Sequence, residues 1–509
     1  MMVTTGSDIH QQERRLIIAA SLLALFLGAL DALVMSAAMP TIISELGGLS
    51  LYAWVYSAYF LARAVSLPVF GKLSDLFPTK TLMVVSIAVF SAASVAAGMS
   101  PSMGFLVAAR VFQGIGAGGI FALVYVVLSD VSPKGQRGKT LSLASSVWGI
   151  SSLIGPTLGG FIVTYFSWRW IFYINLPLGL LSLAGIGFFF RELREKPGDV
   201  DLDWAGISCF SGAVLAGLTL IMTGGREIPW ASSTGIMLAV AAVILGIGFV
   251  LTERRAKNPF VDFSFFRHPG FALGNLMTFG ASMAMFSLFA YAPLYLQGAL
   301  SQTPMVVGYA MLSLSLGWSV GSLLMGRVVD RVGARLASIT GTLFMTAGAL
   351  FCLGFDMDTA LLWCFFVFIL IGFGMGFISL STLLIVQDSV KKADLGMATS
   401  LHQFARTFGG TVGVGICGAV VTQRLFSGLE QGGKGVVASM SGSGGEMGSR
   451  LRESLSHMFQ PEFQAQLPPQ TLEVLRTAVL DGVGAAFVIV SVICSIGLIL
   501  GLFLPKGTD

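Results

Sequence analysis

Apolar runs of about twenty residues, each long enough to cross a hydrocarbon core of roughly 30 Å, recur from one end of this chain to the other. Fourteen such runs begin near Leu16, Tyr52, Leu82, Gly104, Leu141, Trp170, Trp204, Gly235, Phe271, Met305, Leu336, Ala360, Met397 and Val479, with short polar connections between most of them. A segment surrounded by lipid must satisfy its own backbone hydrogen bonds, so each run is expected to be a helix. The charged residues agree: they make up only 11% of the 509 positions, against roughly 25% in soluble domains. The chain reads as an all-α polytopic membrane protein with fourteen spans.

One stretch tempts another reading. Arg110 to Gly119, RVFQGIGAGG, satisfies the Gly-x-Gly-x-x-Gly pattern of a dinucleotide-binding turn at Gly114, Gly116 and Gly119. That pattern works only between a strand and a helix N-terminus, with an acidic residue about twenty positions on. Here it lies inside an apolar run, and Lys139 stands where the acid is needed. Gly138-Lys139-Thr140 resembles the end of a P-loop, but Pro133 replaces the leading glycine. A nucleotide-driven machine is excluded, and no cofactor or nucleic-acid partner is expected. The five cysteines, Cys209, Cys352, Cys364, Cys417 and Cys494, all fall within spans and read as small packing residues.

Lysine and arginine in the loops set the expected orientation. With the N-terminus inside, the inner loops collect Arg14, Arg15, Lys72, Lys80, Arg137, Lys139, Arg254, Arg255, Arg327, Arg331 and Arg335 among others, whereas the short outer loops carry only Arg169 and Arg226. An even number of spans then places both termini in the cytoplasm.

The chain also repeats itself. Gly114, Gly116, Gly118, Asp130, Gly138, Gly155 and Gly160 are matched 258 positions later by Gly372, Gly374, Gly376, Asp388, Gly396, Gly413 and Gly418. Gly71 and Asp75 are matched 255 positions later by Gly326 and Asp330. The repeat carries span 2 onto span 10 and span 4 onto span 12, an even shift, so the two copies run parallel about an axis along the membrane normal. The expected plan is a cytoplasmic N-terminus (1–15), a six-helix bundle (16–190), a linker with two extra spans (191–255), a second six-helix bundle (256–504) with an extracytoplasmic loop (424–476), and a cytoplasmic C-terminus (505–509).

The motifs now carry a resemblance across nearly the whole chain. Leu30-Asp31 leading to Met39-Pro40, the loop from Gly71 to Lys80, Arg110-x-x-Gln113-Gly114 and GISSLIGPTLGG from Gly149 to Gly160 together resemble the fourteen-span drug:proton antiporter branch of the major facilitator superfamily, the EmrB/QacA-like group. The resemblance implies the major facilitator fold, with a lipophilic substrate and protons as partners and the proton motive force in place of a cofactor. It also implies residence as a monomer in the bacterial inner or plasma membrane, with a periplasmic adaptor as a further partner in a Gram-negative host. It places proton coupling on Asp31 and Arg110. One departure stands out: Leu76 and Pro78 replace a basic residue and a glycine in the first loop motif, while the second copy, GRVVDRVGAR from Gly326 with Asp330 and Arg331, fits. The departure weakens the gating role that the resemblance implies for the first copy.

From the residues themselves, Asp31 is the acid well inside a span, and such a charge faces a cavity or a partner. At 1.5 Å per residue it lies roughly 10 Å below the outer end of its span, level with Arg110. A carboxylate that loses this arginine, or its water, holds a proton more readily. Two more buried cations need partners and join Asp31 and Arg110 as proton-coupling candidates: Arg63, which either shares Asp31 or bonds to backbone carbonyls, and Arg406, one helical turn after His402. Gly155-Pro156-x-x-Gly159-Gly160 combines a kinking proline with small residues that admit a neighbouring helix, with Gly317-x-x-x-Gly321 as the expected partner. Asp75 and Asp330 are expected to meet helix N-termini and latch the cytoplasmic side. Gln113, Asn275, Met283, Phe286, Tyr291, Tyr295 and His402 are the candidate substrate-cavity residues, since Met and aromatic surfaces suit varied amphiphiles. Phe426 to Thr471 reads as a cap or a linker.

The leading expectation is therefore a proton-coupled antiporter that exports lipophilic or amphiphilic small molecules by alternating access, and not an enzyme. A lipid or small-metabolite exporter of the same fold is the alternative. A non-transporting sensor or assembly subunit would not need Asp31, Arg110 and the Gly149–Gly160 motif together.

Overall fold

A computed structural model describes residues 11–46, 51–133, 135–192, 203–224, 228–256, 259–432 and 469–505, and the structural statements below concern these residues. They form helices α1 (Gln11–Leu46), α2 (Tyr52–Leu76), α3 (Thr79–Gly98), α4 (Met103–Val131), α5 (Arg137–Tyr165), α6 (Trp170–Tyr173), α7 (Asn175–Phe189), α8 (Trp204–Thr223), α9 (Ser233–Glu253), α10 (Pro269–Gly298), α11 (Pro304–Val332), α12 (Ala334–Cys352), α13 (Leu361–Asp388), α14 (Leu395–Gly432) and α15 (Pro469–Leu502). The sixth apolar run is the broken pair α6–α7. Three helices start on side-chain caps that the sequence supplies: Ser102 on α4, Asp203 on α8 and Ser232 on α9 each accept a hydrogen bond from the backbone N–H three residues on.

Counting α6–α7 as one, twelve of these elements are long and apolar enough to cross a membrane. The other two, α2 and α5, are as long, at 25 and 29 residues, but carry Arg63, Lys72 and Asp75 or Arg137 and Lys139. Their packing explains the tolerance. Each is wedged between the two halves, α2 against α4 and α14 and α5 against α1 and α11.

The pairing pattern occurs twice. In the first half α2 and α3 pack on α4, α1 packs on α5 and α7, and α3 packs on α7; in the second, α11 and α12 pack on α13, α10 on α14 and α15, and α12 on α15. The contacts between halves are paired likewise, α5 with α11 and α2 with α14. This is the major facilitator fold, two six-helix bundles related by a pseudo-twofold with two extra helices. The extra pair α8–α9 forms a hairpin that leans on α2 and α14 through α8, while α9 presents Ile236, Met237, Val240, Val243, Ile244 and Ile247 outward.

The apolar cores divide unevenly along the bundle. Toward the end that carries Gly71 and Gly326, one core merges Leu123, Val127 and Leu141 of the first half with Met325, Val329, Phe377 and Leu384 of the second. Toward the far end the cores are separate, one built around Met35, Val55, Leu106 and Trp168, the other around Tyr295, Phe355, Val479 and Phe487. The halves are joined at one end and part toward the other.

Two expectations need correction. The segment 424–476 is not a loop throughout, because α14 continues to Gly432 and α15 begins at Pro469. The rest of that segment, including the amphipathic stretch around Met447–Met458, lies outside the described residues. The Gly155 motif does not pair with Gly317 and Gly321. A Cβ on Gly155 would meet Leu33 of α1, whereas Gly317 and Gly321 lie against the α13 backbone at Ile369 and Phe373. The reason is helical phase: six residues separate Gly149 from Gly155, so Gly149 faces Ser319 of α11 while Gly155 faces α1. Gly160 has open space before it. Gly159 is buried, and the side chain of Pro156 lies outside the described set.

Candidate functional site

Asp31 is buried in the first half, 2% exposed, and its partners come from two other helices, α4 and α7. Its Oδ2 accepts from Arg110 Nη1 at 2.6 Å; its Oδ1 accepts from Gln113 Nε2 and Asn175 Nδ2, each at 3.0 Å. Arg110 and Gln113 project together because they lie three residues apart on α4. Arg110 Nη1 also donates to Gln113 Oε1 at 2.9 Å, and its Nε donates to the Val55 carbonyl at 3.3 Å. Its guanidinium lies over the Tyr59 ring, 4.1 Å from the centroid. Ser94 Oγ of α3 accepts from Gln113 at 2.8 Å and from Asn175 at 3.3 Å. A charge placed in hydrocarbon is thus returned to a hydrogen-bonded polar cluster in which it has both a counter-ion and neutral donors.

Sequence reasoning missed Asn175 and Ser94. A small polar residue in an apolar helix does not announce itself, although Asn175 interrupts the apolar run of the sixth span at the break between α6 and α7.

Beside this cluster lies a cavity of about 580 Å³ between the halves. Its walls are Ala32 and Leu33 of α1, Phe60 and Arg63 of α2, Trp148 of α5, Phe286 of α10, Trp318 of α11, one face of α14 from Arg406 to Gln423, and Ile221, Met222, Gly224 and Trp230 where α8 ends and α9 begins. Along α14 the lining starts mid-helix and runs away from Gly396, so the cavity lies toward the end where the cores separate. Its volume is that of a site for a drug-sized molecule. Asp31 is next in sequence to the wall residues Ala32 and Leu33 but does not itself line the cavity.

The other candidates sort differently from their sequence assignment. Arg63, Arg406 and Phe286 line the cavity. Arg63 does not share Asp31: its guanidinium lies over Phe121 at 4.6 Å and Phe60 at 5.4 Å, because the Asp31 carboxylate is already occupied by Arg110, Gln113 and Asn175. Gln113 belongs to the Asp31 cluster. His402 faces away from the cavity, its Nε2 bonded to Thr278 Oγ1 at 2.8 Å and Thr382 Oγ1 at 3.0 Å. Asn275 donates to the Phe271 carbonyl of its own helix. Met283 packs behind Gly413, and Tyr291 donates to the carbonyl of the wall residue Val414, so both stand one layer back. Tyr295 is core, stacked on Phe355 with its hydroxyl on the Asp356 carbonyl.

The loop motifs meet across the seam. A Cβ on Gly71 would collide with Ser400 and the Gly396 carbonyl of α14, and one on Gly326 would collide with Ser142 and the Gly138 carbonyl of α5. Each repeat offset carries the first crossing onto the second. The acids break the symmetry. Asp75 accepts from the Gly396 and Met397 amides, both at 2.7 Å, at the N-terminus of α14. Asp330 is exposed and makes no hydrogen bond or ion pair among the described residues, and Arg331 is likewise exposed. At that second crossing Arg137 pairs instead with Asp388 at 2.7 Å. The cap across the seam is thus on the first copy of the motif, the one whose neighbours Leu76 and Pro78 depart from the pattern.

Comparison with known proteins places the chain in a family and a fold. The sequence pattern described as Major Facilitator Superfamily matches residues 21–414. Multidrug transporter protein MdtP of Bacillus subtilis is 31% identical over 508 residues, covering 97% of this chain and 93% of that protein. Multidrug resistance protein 3 of the same organism is 27% identical, covering 98% and 96%. Efflux pump dotC of Dothistroma septosporum is 29% identical, covering 95% and 83%. Among solved structures, the human organic anion transporter MFSD10 (TETRAN) superposes with a TM-score of 0.62 at 13% identity, over 96% of this chain and 99% of that one, a likeness of fold.

Proposed function

The chain belongs to the major facilitator superfamily, a multi-pass membrane protein with relatives named as multidrug transporters and efflux pumps, and we propose that it is a proton-coupled exporter of lipophilic or amphiphilic small molecules. The observation that carries this reading is the buried Asp31–Arg110 pair set directly behind the wall of a central cavity. In the proposed cycle Asp31 is the proton carrier. With Arg110 in place the carboxylate has a bonded counter-ion. A movement of α1 against α4 that withdraws Arg110 leaves the carboxylate in a low-dielectric interior, where it takes up a proton. Because Ala32 and Leu33 follow Asp31 on α1, and Phe60 follows Tyr59 on α2, the same movement reshapes the cavity.

With the basic loops on the cytoplasmic side, this conformation has its cavity toward the outside and its seam shut inside, through the merged core, the Asp75 cap and the Arg137–Asp388 pair. Alternating access would break these inner contacts and bring the outer cores together. In this reading Gly71, Asp75 and Gly326 form the inner seam, Gly149 and Gly155 fix the approach of α5 to α11 and α1, and the termini are cytoplasmic. The test is reconstitution into proteoliposomes with a trapped pH dye. Addition of a transported amphiphile should drive proton movement that an uncoupler abolishes; transport with no proton movement would contradict the reading.

A further inference from the structure

The floor of the cavity has a symmetry that bears on its ligand. Trp318 lies 255 positions after Arg63, and Arg406 lies 258 positions after Trp148, the same two offsets that relate Gly71 to Gly326 and Gly138 to Gly396. Arg63 and Trp318 are therefore one position in the two halves, and Trp148 and Arg406 are another. All four line the cavity, so they surround the pseudo-twofold axis. Each half contributes one arginine and one tryptophan, from helices that cross at the seam.

This ring is rich in donors and lacks acceptors. Arg63 Nε and Nη1, Trp148 Nε1 and Trp318 Nε1 are buried without hydrogen-bond partners. Arg406 makes no hydrogen bond or ion pair among the described residues; its guanidinium lies 5.8 Å from the Trp148 ring and 5.9 Å from the Trp318 ring. Aromatic faces compensate a desolvated guanidinium only in part. Among the described residues, neither an aspartate nor a glutamate lines the cavity. Asp31, the nearest carboxylate along α1, is engaged by Arg110. The two arginines line one cavity, so their like charges repel across it. A cationic ligand would add to an uncompensated positive pair, whereas an anion would relieve both members and accept from the idle donors.

We propose that the cavity selects an anionic amphiphile, its carboxylate, sulfonate or similar head held between Arg63 and Arg406 and its aromatic or alkyl body against Phe60, Trp148, Phe286 and Trp318. The inference rests on the cavity being the transport site. Its test uses equilibrium binding with no proton gradient, so its failure is separable from a failure of proton coupling. The full-length protein in nanodiscs, with empty nanodiscs as the blank, is titrated with 8-anilinonaphthalene-1-sulfonate and with N-phenyl-1-naphthylamine, the same ring system without the sulfonate. The wild type should bind the sulfonate at least about tenfold more tightly than the neutral probe. Arg406→Gln and Arg63→Gln should each weaken the sulfonate about tenfold while changing the neutral probe less than about threefold. Arg406→Lys, which keeps the charge, should keep part of the preference. Equal binding of the two probes by the wild type, which needs no variant to fold, overturns the proposal, as does parallel loss of both probes in Arg406→Gln.

Discussion

The carboxylate of Asp75 holds the backbone amide of Gly396 at 2.7 Å across the seam between the halves, and the amide of Met397 at the same distance. Its counterpart in the repeat, Asp330, holds nothing among the described residues. One acid therefore caps the α14 N-terminus, and only while the seam is shut at this end. Removing a cap of this kind costs about 1 kcal/mol, enough to move a conformational equilibrium several-fold. Asp75→Ala should populate the state open at this end, read as a longer spin-label distance between the ends of α2 and α14. Asp330→Ala should leave the distance distribution unchanged. Equal effects of the two changes would contradict the asymmetry.

The two ends of the α5 glycine motif are predicted to behave differently. Gly155 abuts Leu33, a wall residue of the cavity, while Gly160 faces open space. Gly155→Leu should separate α1 from α5, lower stability by about 1 to 3 kcal/mol and impair transport. Gly160→Ala should be tolerated. Thermal unfolding and transport in reconstituted vesicles check both, and wild-type behaviour of Gly155→Leu would show that the close approach is dispensable.

These contrasts show what sequence can disclose for a chain of this kind. Fourteen spans, the repeat and the Asp31–Arg110 pair are legible because charge and length in lipid admit few arrangements. Which face of a helix a residue occupies is not. Tyr295 and Phe286 lie on one span with similar chemistry, yet one is core and the other wall, and only packing separates them. The offset joining Arg63 to Trp318 was present in the numbering, but its meaning depends on both helices meeting at the axis. Asn175 and Ser94 left little signal because a neutral polar group in a helix costs little to hide. Asp75 meets a helix N-terminus as expected, although its neighbours Leu76 and Pro78 depart from the motif, whereas Asp330, in the copy that fits, does not, because only packing sets a helix N-terminus beside one acid and not the other.

Glu45 offers a pH-dependent contact at the far end of α1. It accepts from Trp168 Nε1 at 2.6 Å and pairs with Arg169; the hydrogen bond from Arg169, then that from Trp168, hold its carboxyl below the ordinary value of 4.5. For a lowered folded-state value the contribution is complete above 4.5 and is lost as pH falls through the lower value. Backbone amide exchange between Ser167 and Tyr173, corrected for intrinsic rates, should be steady above that pH and accelerate below it. Glu45→Gln should remove this dependence; an unchanged acid limb in the variant would assign it to another group.

The central claim is that Asp31 carries the proton. Asp31→Asn keeps the shape and can still bond to Gln113 and Asn175, but leaves Arg110 without its counter-ion, which commonly costs about 3 to 5 kcal/mol and should appear as a lower unfolding temperature. The decisive measurement is transport by purified Asp31→Asn in proteoliposomes, with and without an imposed proton gradient. The account predicts that the variant still binds the amphiphile but no longer accumulates it against its gradient when protons are supplied, and that no protons move when amphiphile is added. Gradient-driven transport at the wild-type rate, with proton movement intact, would contradict it.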